Sequence, residues 1–150
     1  MGAFATLRIP LQASGRATGQ LAADTVYRSA GTWAPSWDAQ SSVLSLQMQF
    51  PGNITAMIGR LVSKGFAIPP QIEISVPLRS IAAPDVVTDS VHFLQLLAAD
   101  PKIFDARLEG DRVVAQIVPD TYAAHAIWDH CLEVGLMPQD VPTLPSLRGL

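Results

Sequence analysis

The chain has 150 residues, of which 49% are hydrophobic and 15% charged, with a formal net charge of −3 and a single cysteine, Cys131. That length suits one compact domain or two very small ones sharing a core. One cysteine excludes an intramolecular disulfide and an all-cysteine metal site. The scattered basic residues do not form the stripe of a nucleic-acid binder, and no apolar run is long enough to span a membrane.

In chain order, "FATLRIPLQ" predicts a strand over 4–12 that ends beside a proline, followed by a small-residue loop and a helix over about 18–30. A strand near 33–38 and a second over 43–50 follow, with Tyr27, Trp33 and Trp37 grouped around Gly31 and Pro35. Residues 53–64 predict a helix, because Ile54, Met57, Ile58, Leu61 and Val62 recur at spacings of three and four and Gly65 supplies a left-handed stop. "PQIEISVPL" (70–78) is the next strand. Residues 86–100 are helical in period, with Asp85 or Thr88 as N-cap and Pro101 beyond the end. Residues 103–118 read as a hairpin turning at Glu109-Gly110-Asp111, and a last helix opens at Asp120 or Thr121 and stops at Gly135.

The chain repeats itself. "RIPLQ" (8–12) matches "SVPLR" (75–79) at an offset of 67, and the helix ending at Gly65 matches the one ending at Gly135 at an offset of 70. The expected architecture is α+β: two ferredoxin-like βαββα units in tandem, 1–69 and 70–140, with a proline-containing tail at 141–150. Each unit lacks a final strand, so the strand at 70–78 is either shared by both units, or an edge is closed by the tail or by another chain. Residues 1–70 carry a charge of +3 and residues 71–150 carry −6, which favours contact between the halves. Sparse charge leaves apolar surface to cover, which points to a protein partner or a homodimer. The start lacks a secretory signal, so a cytoplasmic location is the default.

The strand ends Ile9-Pro10 and Val76-Pro77 and the helix ends Gly65-Phe66 and Gly135-Leu136 resemble the heavy-metal-associated domains of copper chaperones and metal-transporting ATPases. In that family the first strand runs into a Cys-x-x-Cys metal loop. Laid on this chain, the two cysteine positions fall on Ser14 and Ala17 in one unit and on Ile81 and Pro84 in the other. A soft ion needs thiolate or thioether donors, and these residues offer none. The resemblance therefore implies a scaffold without its metal site, and no cofactor.

Three groups of residues are candidate sites. Tyr27, Trp33 and Trp37 form either a partner-binding surface, since aromatic side chains give large contact area at small entropic cost, or the floor of a small core. The loop residues Ser14, Arg16 and Thr18, with Ile81 and Asp85 in the second unit, are the expected place for an anion or other small ligand ahead of a helix. His125, Asp129, His130 and Cys131 share one helix, but Cys131 falls on its apolar stripe, so the group reads as structural, with His125 and Asp129 as the remaining pair of potential metal donors. His92 sits near Asp89, yet no nucleophile or second carboxylate is placed to complete a catalytic set. The leading expectation is a non-catalytic binding or assembly module. The alternatives are a sensor holding a small anion or amino acid between the units, and a small dimeric enzyme.

Overall fold

The computed structural model of the chain describes residues 3–11, 19–27, 31–80 and 90–138. The elements are β1 (Ala3–Pro10), α1 (Gly19–Tyr27), β2 (Thr32–Asp38), β3 (Val43–Phe50), α2 (Ile54–Ser63), β4 (Ile72–Ser80), α3 (Ser90–Ala98), β5 (Ile103–Glu109), β6 (Arg112–Ile117), α4 (Thr121–Glu133) and β7 (Leu136–Pro138). This is the α+β, ferredoxin-like architecture expected from the sequence, and no helix among the described residues is long and apolar enough to cross a membrane.

Six strands form one antiparallel sheet in the order β2-β3-β1-β4-β6-β5. Strand β4 is the shared element. One of its edges pairs with β6 through Ile72–Pro77. It also pairs with β1, where Thr6, Leu7 and Arg8 face Ser75, Ile74 and Glu73, and with β7, where Leu78–Ser80 meet Leu136–Pro138. The edge that each unit lacks is thus closed inside the chain.

Two prolines limit that seam to three residue pairs. The N–H of Leu11 donates to Ser42 O on the β3 side at 2.9 Å, and that of Leu78 donates to Asp111 O on the β6 side at 2.7 Å. Successive residues of a strand point their N–H groups to opposite edges, so the nitrogens of Pro10 and Pro77 face the seam. Proline has no hydrogen to offer there. Beyond them the strands change partners: β4 turns to β7.

The halves correspond around the Leu7–Ile74 pair. Helices α1 and α3 are both nine residues long and lie 71 positions apart, as do β2 and β5. Each of those strands carries a bulge in the same place, between Trp33 and Ser36 and between Phe104 and Arg107. Inside each bulge sits a non-glycine residue with left-handed backbone, Ala34 at φ 52° and Asp105 at φ 51°. The helix stops also agree, with Gly65 at φ 98° and Gly135 at φ 77°.

The core lies on one side of the sheet. Alternate strand residues such as Leu7, Ile9, Leu46, Ile74 and Ala115 are buried together with Val26, Met57, Leu61, Phe93, Leu97, Ile127 and Cys131 from the four helices. The apolar stripe read from sequence on α2 holds, except that Val62 sits at the rim and is exposed, as is Leu132 on α4. Both second helices are capped by side chains: Asn53 accepts from the N–H of Ala56 at 3.1 Å, and Asp120, one of the two expected starts, from that of Ala123 at 2.8 Å.

Candidate functional site

No helix of the described residues packs on the opposite face of the sheet. That face carries the residues that alternate with the core: Thr6 and Arg8 of β1, Ser45 and Gln47 of β3, Glu73 and Ser75 of β4, Gln116 of β6. The bulges decide which outer-strand residues join them. A regular strand would put Trp33 and Trp37, four apart, on one face. The extra residue in β2 places Trp33 opposite Gln47 and Trp37 opposite Leu44, so the two indoles lie on different faces. Trp37 packs half-buried against the core. Trp33 lies on the uncovered face, its ring edge-on to Phe4 at 4.4 Å between centroids and its Nε1–H donating to Gln47 Oε1 at 3.2 Å. Phe104, opposite Gln116, holds the corresponding place in the other half.

Tyr27 ends α1 on the helical side and is 73% exposed. The three aromatic residues grouped by sequence therefore do not form one surface. Trp33 has Phe4 beside it instead, a residue 29 positions away whose partnership only the β1–β3–β2 pairing creates.

Between the aromatic flanks the uncovered face is charged. Glu73 lies 3.9 Å from Arg8 and 3.8 Å from Arg107, and Arg107 also pairs with Glu109. Arg112 donates through Nε to Ser75 Oγ at 2.7 Å. A shallow cavity of about 240 Å³ sits in the middle of this group, over the β1–β4 seam, with Val114 beneath it. At the turn between β2 and β3, Asp38 accepts from the Ser41 side chain and from the backbone N–H groups of Gln40 and Ser41, which holds its carboxyl below the usual range.

The other expected sites are dispersed. Ser14, Arg16, Thr18, Ile81 and Asp85, with the motif positions Ala17 and Pro84, lie outside the described residues, as does the tail beyond Pro138. A cavity of about 430 Å³ flanks the end of β1, between Leu11, Ser42 and Ile68. His125 and Asp129 are exposed on α4, and no group of three His, Cys, Asp or Glu side chains among the described residues is placed to hold a metal. His130 is more enclosed than its sequence position suggests, because α4 carries it against the α3–β5 turn, with Nε2 3.1 Å from Asp100 Oδ2. Burial pushes the Cys131 thiol up to about 12, which keeps it protonated and unreactive at neutral pH.

No family model matches the chain, and no curated protein matches it. Among solved structures it is similar to the N-terminal soluble domains of Bacillus subtilis CopA, at 8% identity and a TM-score of 0.43, over 91% of this chain and 93% of that one. It is also similar to the regulatory subunit of aspartate kinase from Thermus thermophilus, at 11% identity and a TM-score of 0.31, over 89% and 93% of the two chains. Likenesses of this size say nothing about what this chain binds.

Proposed function

We propose that the chain is a non-catalytic binding module that holds a protein partner on the uncovered face of its sheet, around Trp33 and Phe4. The observation that carries this reading is the Phe4–Trp33 pair, at 4.4 Å, on a face that no helix of the described residues covers. Aromatic side chains anchored by their neighbours are the usual energetic centres of protein interfaces. Gln47 fixes the indole, so little side-chain freedom is left to lose on binding. The edges offer less. Strands β2 and β5 are both bulged, and β2 contains Pro35, two devices that discourage pairing with an added strand.

The scaffold is further proposed to descend from a heavy-metal-associated domain by duplication, with the metal ligands lost. Support comes from the paired bulges, the equal lengths of α1 and α3, and the residues at the four motif positions. The binding test is affinity capture from an extract of the source cells, using the wild-type chain and Trp33→Ala with matched folding checks. A protein recovered by the wild type and lost with Trp33→Ala supports the reading. Equal recovery by both, or recovery lost only through changes on the helical side such as Tyr27→Ala, removes it.

A further inference from the structure

The centre of the uncovered face holds a guanidinium with no ion pair among the described residues and a carboxylate whose two ion pairs are long. Arg112 opens β6 just after the hairpin turn and is half-buried. Ser75 orients its guanidinium, accepting from Nε at 2.7 Å and, through its backbone oxygen, from Nη2 at 3.4 Å. None of the ion pairs among the described residues includes Arg112. A guanidinium in this state has given up part of its hydration without a direct ion pair, although Glu109 stands opposite it across the hairpin, and its planar fork suits a carboxylate.

Glu73 shows the complementary deficit. Its two arginine neighbours stand at 3.9 and 3.8 Å, beyond hydrogen-bonding distance. Its side chain is only 24% exposed. The carboxylate thus sits among positive charge without a close donor.

Both groups line the same cavity of about 240 Å³, as do Thr6 and Val114. A plain anion would answer Arg112 and add to the negative charge near Glu73 and Glu109. A plain amine would do the reverse. A molecule with both signs a few bonds apart answers both ends together.

We propose that this cavity binds a free α-amino acid with a small uncharged side chain. Its carboxylate sits on Arg112 with help from the Thr6 hydroxyl, its ammonium donates to Glu73, and its side chain lies over Val114. Because Thr6 and Ser75 face each other across the β1–β4 seam, occupation ties the two halves together at their junction. This inference does not depend on the partner surface at Trp33, and its failure leaves that reading in place.

The test is a titration of the isotopically labelled full chain with single amino acids up to about 10 mM, followed by amide chemical shifts. Saturable shifts at Thr6, Ser75 and Arg112 with at least one amino acid are expected. The matching compounds that lack either the amino or the carboxyl group should bind at least about tenfold more weakly. Arg112→Gln and Glu73→Gln, each checked for an unchanged spectrum elsewhere, should each abolish saturation. Since the two substitutions lie on different strands, a folding failure in one leaves the other informative. No shift with any amino acid, shifts confined to another region, or equal binding of the carboxylate that lacks the amine would each overturn the proposal.

Discussion

Thr55 and Thr121 cap each other's helices: the N–H of Thr55 donates to Thr121 Oγ1 at 3.1 Å, and the N–H of Thr121 donates to Thr55 Oγ1 at 2.9 Å. Thr121 Oγ1 also donates to Asn53 Oδ1 at 3.2 Å. First-turn N–H groups have no partner within their own helix, so here each helix start is completed by the other half of the chain. Replacing either threonine by valine keeps the shape and removes the acceptor. Each change should cost about 1–2 kcal/mol, and a double-mutant cycle should show coupling of about 0.5 kcal/mol or more. No loss from either change in denaturant unfolding would mean that the exchange contributes nothing.

The two indoles on β2 should respond differently to truncation. Trp37 packs on the core, so Trp37→Ala should destabilise by about 3 kcal/mol, the range for large-to-small core changes. Trp33→Ala, on the uncovered face, should cost clearly less. Equal losses would show that the bulge does not separate the two side chains.

Ala34 and Asp105 occupy left-handed backbone without being glycine. Side chains are disfavoured there by roughly 1–2 kcal/mol, and glycine is not. Ala34→Gly should therefore raise the unfolding midpoint or leave it unchanged, instead of showing the loss that glycine normally causes within a strand. A drop of more than about 1 kcal/mol would argue against the bulge.

Cys131 makes stability fall at high pH. Its folded pKa of about 12 lies above the ordinary value of 9.0, so the neutral thiol is favoured in the folded state. That contribution is complete below the ordinary value, and it declines as pH rises toward the folded one, by at most about 1.4 kcal/mol per pH unit. Cys131→Ala should flatten the slope between those limits, as read by urea unfolding at a series of pH values. An unchanged slope would place the thiol in contact with water.

Much of this molecule was legible in its sequence, and the omissions have physical causes. The offset of 67 between the proline-ended strands is the offset that relates Leu7 to Ile74, the central pair of the seam. Apolar spacing located α2 and α4 because Met57, Leu61, Ile127 and Cys131 must meet one core. Short motifs gave no sign of the bulges, since Ala34 and Asp105 lack the glycine that usually marks left-handed backbone. With the bulge unseen, Trp33 and Trp37 look like one surface. Arg112 and Glu73 carry no sequence signal, because their neighbours come from β1, β5 and β6, whose adjacency is settled by sheet order alone. The enclosure of His130 has no sequence signal, because spacing on α4 carries no information about the turn at Asp100.

The central claim is that β4 serves both halves, so that the chain folds as one unit around the Leu7–Ile74 pair. Its most direct test is amide hydrogen exchange on Ile74→Ala, a change expected to cost about 3–4 kcal/mol at this fully buried site. A shared strand predicts that protection in the β2–β3 hairpin and in the β5–β6 hairpin falls together and by the same free energy. Protection lost in one hairpin and kept in the other would show two independent halves and contradict the account.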